Sequence, residues 1–174
     1  MTSLRRLIVV AAALILAAPL LRPAISSALV TRGDALLYAN DDRARDKYAL
    51  ALRLDAGNVV AADRYVFSAF LSRKPTELER AVRMAGVVLR RLPGNAAVRM
   101  DRALCLQLLK RYVLAEADFE SVGRERSDVQ ALALAASDAR IIGDSAKARR
   151  LLRAAERIDP HYIPVRLNLK RISQ

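Results

Sequence analysis

Four residues spaced four, three and five apart recur four times along this chain. A helical spacing that repeats at a fixed interval leaves few folds open. The copies are Ala44, Tyr48, Ala51 and Ala56; Ala81, Ala85, Val88 and Pro93; Ala115, Phe119, Val122 and Ser127; and Ala148, Leu152, Ala155 and Pro160. Steps of four and three keep side chains on one helix face. The fourth member falls where the helix must stop, and proline or a polar residue stops it. The leading alanines are 37, 34 and 33 residues apart, a period that marks a helical repeat array.

Each interval also has an earlier half. Ala69, Ala103 and Ala136 stand twelve residues before Ala81, Ala115 and Ala148, and Gly33 stands eleven before Ala44. Small residues in both halves let two antiparallel helices approach closely. With these positions in place, the chain resembles the tetratricopeptide repeat family over roughly residues 26–160. The family's unit is a helix–turn–helix of about 34 residues with Gly/Ala, Ala, aromatic, Ala and Pro in that order. Tyr48 and Phe119 match the aromatic position. The early large position reads Leu29, Tyr65, Arg99 and Leu132, where Arg99 departs from the pattern, and Ala56 and Ser127 replace the closing proline. The resemblance implies an all-α fold. It would be a right-handed α-solenoid of about four helix pairs with a C-terminal capping helix, preceded by an N-terminal apolar helix.

The expected boundaries are a signal peptide or membrane anchor over 1–25, repeats over 26–58, 59–94, 95–126 and 127–160, and a capping helix over 161–174. Local signals place the ends. Asp42 and Asn58 read as N-caps, and Gly57 suits a left-handed helix end. Thr76 with Glu79, and Ser127 with Gln130, read as capping boxes. Ser26 and Ser27 read as caps of the first repeat helix. Gly143 and Asp144 turn the chain, and Val165, Leu169 and Ile172 share one face of the last helix.

Arg5 and Arg6 precede fifteen apolar residues, Leu7 to Leu21, closed by Arg22 and Pro23. A basic start before such a run matches a secretory signal cleaved after Ala28. Extended through Ile25, it also reads as a short uncleaved anchor. Arg5 and Arg6 favour a cytoplasmic N-terminus. The repeats then lie outside the cytoplasm, on a single-pass anchor in the cytoplasmic membrane, or free in the periplasm or secreted if the segment is cleaved.

The formal charge is +12, with arginine far outnumbering lysine and the cations spread over all repeats. No RNA-binding motif or zinc-finger spacing accompanies them, so no specific nucleic-acid partner is expected. Weak contact with acidic lipid fits the charge better. The single cysteine, Cys105, cannot form an internal disulfide and reads as a small core residue among leucines.

No catalytic set emerges. His161 is the only histidine and sits at the start of the last helix. Glu116, Asp118 and Glu120 read as a solvated face, and no metal-ligand spacing surrounds Asp41 and Asp42. No enzyme activity, metal or cofactor is expected. By the family's register the first helices line a concave groove. Its partner-binding residues here would be Tyr38, Val66, Phe70, Arg73, Met100, Leu104, Gln107, Leu108, Ser137, Arg140 and Ile141, with Asp34 beside them. The functional expectation is a non-catalytic scaffold at the bacterial cell envelope that presents this groove to an envelope protein or peptide. The alternative is an accessory structural subunit of a membrane enzyme or assembly complex.

Overall fold

Helices follow the alanine-rich, strand-poor sequence throughout the residues described. The computed structural model describes the backbone of residues 2–39 and 42–172. Side chains are described from Pro19 onward, except within 40–41, at 167 and over 169–174. The elements are α1 (Thr2–Tyr38), α2 (Arg43–Leu54), α3 (Val59–Ser72), α4 (Pro75–Arg91), α5 (Ala96–Leu108), α6 (Tyr112–Arg126), α7 (Val129–Ile141), α8 (Ser145–Ile158) and α9 (Ile163–Ile172). The chain divides into two compact units, Met1–Tyr65 and Val66–Gln174, and the boundary falls inside α3.

In the first unit α1 packs on α2. Gly33 packs directly on α2: a methyl group there would stand 2.4 Å from Cε1 of the fully buried Tyr48 ring. Tyr48 Oη donates to Asp34 Oδ1 at 2.8 Å, and Arg64 Nε lies 3.2 Å from the same carboxylate oxygen. Burial first, and then the bond to Asp34, push the Tyr48 phenol well above its usual value. Ser26 does not cap a helix, because α1 runs through it without a break. Its hydroxyl is fully buried, donates to the Ala51 carbonyl at 3.0 Å and accepts from Asn58 Nδ2 at 2.8 Å. The expected leader or anchor falls mostly on residues 1–18, whose side chains lie outside those described. Among the described residues no helix is long and apolar enough to cross a membrane.

In the second unit α4 packs on α5, α5 on α6, α6 on α7, α7 on α8 and α8 on α9. Short turns join these neighbours, so they alternate in direction. Ala103, Ala115, Ala136 and Ala148 are buried with Phe119, Leu132, Leu151, Leu152 and Val165 in one cluster. Ala44, Ala81, Ala115 and Ala148, the leading alanines of the signature, are all at most 2 % exposed. The repeated small residues therefore stand where helix backbones meet. Gly123 belongs to the same class: a methyl there would lie 2.6 Å from Leu132 Cγ and 3.0 Å from its backbone nitrogen.

The helix ends correct several expectations. Asn58 and Asn95 do cap, accepting from the backbone N–H of Ala61 and Val98. Thr76 is not the cap of α4. Lys74 takes that place, because the fixed φ of Pro75 suits the first helical position. Asp128, not Ser127, caps α7, accepting from Ala131 N at 2.9 Å. Ser127 instead closes α6 in a left-handed conformation, and the Asp128 N–H reaches back to the Gly123 carbonyl. Gly57 is not left-handed; its N–H is held by Asp55 Oδ1, and Asp55 itself ends α2 in an extended conformation. Asp42 makes no side-chain cap and lies 3.6 Å from Arg45. Left-handed residues close α3, α5 and α7 at the same offset, namely Arg73, Lys110 and Gly143.

The acidic face expected on α6 is not solvated. Glu116 is 3 % exposed and Asp118 8 %. Lys147 of α8 reaches Glu116 at 2.6 Å and Glu120 at 3.0 Å, while Arg102 of α5 grips Asp118 through two hydrogen bonds of 2.7 and 2.6 Å. Burial holds the Glu116 carboxyl above its usual range against the pull of Lys147. Arg99, the odd residue in the early large position, also has a structural role. Its guanidinium binds Glu125 at 2.7 Å and contacts Ser121 and the Pro93 carbonyl, tying α5 to α6 and to the turn before it.

Candidate functional site

On α5 the buried residues are Val98, Ala103, Cys105 and Leu106. Met100, Leu104 and Gln107 are half-buried, and Leu108 is 37 % exposed. Spacings of four, three and one put these last four on one face, where Met100 and Leu104 also pack against the core and Leu108 reaches solvent. The same face recurs on α7, 33 residues on, as Ala133, Ser137, Arg140 and Ile141, the last 51 % exposed. Gln107 Nε2 donates to Asp138 Oδ1 at 2.8 Å, which sets the two first helices side by side. Cys105 Sγ lies 3.8 Å from the Val66 carbonyl, which sets α3 beside α5.

The helix caps fix which residue of α3 matches which on α5 and α7. Counting from Asn58, Asn95 and Asp128, the small position is Val66, Ala103 and Ala136, not Ala69 in the second repeat. Tyr65 is displaced from the early large position by the same three residues. The reason is an extra turn: α3 and its connection are three residues longer than their counterparts, so counting back from Ala81 shifts the register. Val66 is therefore a core residue, fully buried, and leaves the expected groove. Arg73 leaves it too, exposed in the turn after α3 with φ 54°. Tyr38 is 92 % exposed at the end of α1, in the first unit.

The α3 residues that match Leu104, Gln107 and Leu108 are Phe67, Phe70 and Leu71. The rings of Phe67 and Phe70 lie 6.3 Å apart, and Leu71 is 51 % exposed. Spacing counted from Ala81 misses Phe67 and Leu71. The asparagine caps find them, because Asn58 and Asn95 mark the helix starts directly. On its first helices the second unit thus presents Phe67, Phe70, Leu71, Met100, Leu104, Leu108 and Ile141 as one apolar row, with Gln107, Ser137 and Arg140 as polar points among them.

Beneath this face sits one unusual group. Asp138 is fully buried, and its Oδ2 has no hydrogen-bond partner. Burial pushes its carboxyl pKa up, and the Gln107 bond opposes this only in part. A carboxyl whose folded pKa is raised favours folding most below its unfolded value, about 3.9, and that contribution fades as pH climbs through the folded value. Asp138→Asn keeps an acceptor for Gln107 and cannot ionise. It is expected to stabilise the chain by about 1 kcal/mol at pH 8, with the gain shrinking toward pH 4. Urea unfolding at both pH values checks this.

Ala136, Ser137, Arg140, Leu152 and Asn168 line a partly open cleft of about 10 Å³, room for a single water. Burial pushes the Cys105 thiol up to about 12, so at neutral pH it is a protonated core thiol. His161 is exposed in the turn before α9, its N–H donating to Asp159 Oδ1. Among the described residues no three His, Cys, Asp or Glu side chains stand close enough to hold a metal ion. The α5 and α7 residues described above offer contact surface.

No family model matches the sequence, and no curated protein matches it. Solved structures do. A MamA RS-1 double mutant superposes with a TM-score of 0.73 at 17 % identity, covering 84 % of this chain and 82 % of that one. MamA from Desulfovibrio magneticus RS-1, residue 41 to its end, gives a TM-score of 0.72 at 17 % identity with the same coverage. A tetratricopeptide repeat protein from Parabacteroides merdae gives 0.71 at 15 % identity, over 86 % of this chain and 60 % of that one. The fold is that of tetratricopeptide repeat proteins. In that fold α3–α4, α5–α6 and α7–α8 are successive helix pairs, and the face just described belongs to the first helix of each.

Proposed function

We propose that this chain is a non-catalytic scaffold whose α5–α7 face holds an apolar segment of a partner protein. The observation that carries this reading is the row of half-exposed apolar side chains, Phe70, Leu71, Leu104, Leu108 and Ile141, at matched positions on adjacent parallel helices. Aliphatic and aromatic anchors surrounded by a few polar groups are what a desolvated protein contact uses. Gln107, Ser137 and Arg140 supply hydrogen-bond points that a bound peptide can use for orientation. Arg5, Arg6 and the apolar run behind them support a place at the bacterial cell envelope, with the repeats outside the cytoplasm and an envelope protein as the partner.

Leu108 and Ile141 are exposed enough to change without disturbing the core. Leu108→Asp with Ile141→Asp is expected to reduce partner recovery in a crosslinking pull-down from membranes by tenfold or more, with an unchanged circular dichroism spectrum. Undiminished recovery of the same partners overturns the reading. A mass measurement of the mature N-terminus distinguishes a cleaved leader from a retained anchor.

A further inference from the structure

The cations of this chain are not evenly distributed, in contrast to the spread expected from the repeats. From Ser145 to the C-terminus there are eight basic and two acidic side chains, so this short segment carries half of the net +12. On α8, Ala148, Leu151, Leu152 and Ala155 are buried, and Arg149, Arg150, Arg153 and Arg157 occupy the opposite, exposed face. None of these four guanidiniums has an ion-pair partner among the described residues. Several arginines elsewhere are paired, Arg99 with Glu125, Arg102 with Asp118, Arg111 with Glu79 and Arg124 with Glu120, although Arg83, Arg90 and Arg91 of α4 are exposed without a partner among the described residues too. Four like charges along one helix face repel one another, and the fold does nothing to neutralise them. A surface of this kind is complementary to an anionic one.

The apolar residues beside the arginines indicate which anionic surface. Ile158 at the end of α8 is 43 % exposed and Ile163 at the start of α9 is 65 % exposed, with Arg157 and the exposed Arg166 flanking the corner they form. Exposed branched aliphatics next to arginines suit the boundary between lipid headgroups and acyl chains, where the guanidinium meets phosphate and the aliphatic chain leaves water. A nucleic acid would offer bases to stack on aromatic side chains. No Phe or Trp stands between residues 145 and 174, and the Tyr162 ring packs against the core cluster.

We propose that the α8–α9 corner docks on an anionic lipid bilayer. The arginines of α8 lie against the headgroups, and Ile158 and Ile163 enter the interface. Each cation held at such a surface contributes about a fivefold gain in partitioning, so four together are steeply sensitive to salt and to the fraction of acidic lipid. The proposal is independent of the α5–α7 face, and one can fail while the other stands.

The chain has no tryptophan, so Ile163→Trp in the full-length protein introduces a single indole at the proposed contact. Vesicles of phosphatidylcholine with 30 mol % phosphatidylglycerol, and the same vesicles with brominated acyl chains, are the probes. The expected result is a blue shift and strong quenching by the brominated lipid. Both should be lost in pure phosphatidylcholine, and in the same protein carrying Arg149→Gln, Arg150→Gln, Arg153→Gln and Arg157→Gln. The indole reads this corner alone, so insertion of the N-terminal segment does not imitate the signal. An unshifted, unquenched indole overturns the proposal, as does equal quenching in neutral vesicles. A signal produced by heparin or polyglutamate but not by anionic vesicles overturns it in favour of a soluble acidic partner.

Discussion

Phe119→Ala is expected to destabilise the chain by about 3–5 kcal/mol. The ring is fully buried in α6, in the cluster that contains Ala103 and Leu106 of α5, Leu132 and Ala136 of α7, and Ala148 and Leu152 of α8. Three of these six are alanines, which are too short to collapse into the space a lost ring leaves. The cavity therefore persists and adds to the lost transfer energy. For a chain of this length each 1 kcal/mol lowers the midpoint by roughly 2–4 °C. A fall of about 6–20 °C in thermal unfolding is the expected result. Phe67→Ala, by contrast, removes a half-exposed ring and is expected to cost no more than about 1.5 kcal/mol.

Gly123→Ala is the second large effect, and its sign is opposite to what helix propensity gives. An alanine in place of glycine inside a helix ordinarily adds about 0.8–1 kcal/mol. Here the new methyl would stand 2.6 Å from Leu132 Cγ, 2.7 Å from Cδ2 and 3.0 Å from the Leu132 backbone nitrogen. Leu132 is 1 % exposed and lies in the first turn of α7, so side chain and backbone must both move. Overpacking of this kind costs typically about 1–3 kcal/mol, and a net loss of about 1–2 kcal/mol remains. Gly86→Ala is the control. Its methyl meets only the ends of Arg90 and Arg102, both at 3.9 Å. The propensity gain should therefore appear there undiminished, as about 0.8–1 kcal/mol of added stability. Denaturant unfolding of the two variants beside the parent reads both signs at once.

The repeated small residues make most of the helical array legible from sequence. Ala81, Ala115 and Ala148 open the second helices with nothing exposed, and Tyr48 and Phe119 fill the space beside them. A small residue that permits backbone contact has no substitute of another size, so its spacing survives where larger core positions vary. Spacing misaligns the second repeat for a related reason. Ala69 and Val66 are both buried on α3, and spacing alone selects the alanine. The Asn58 cap, a hydrogen-bonding constraint at one fixed residue, selects correctly. The helix ends near Thr76 and Ser127 mislead because two candidate caps stand within two residues of one another. Backbone conformation decides between them, through Pro75 in one case and the left-handed Ser127 in the other. Asp138 and the Glu116–Lys147 pair leave no trace in the sequence, since a buried carboxylate and a solvated one are the same letter.

Whether a partner lies on the α5–α7 face is tested most directly by a photo-crosslinking scan in cells. The reactive group is placed in turn at Leu104, Leu108 and Ile141 on that face and at Val87 on the exposed side of α4. A scaffold that binds through this face gives one common set of adducts from the first three positions and none of them from Val87. The same adducts from Val87, or none from the three inner positions, would contradict that role.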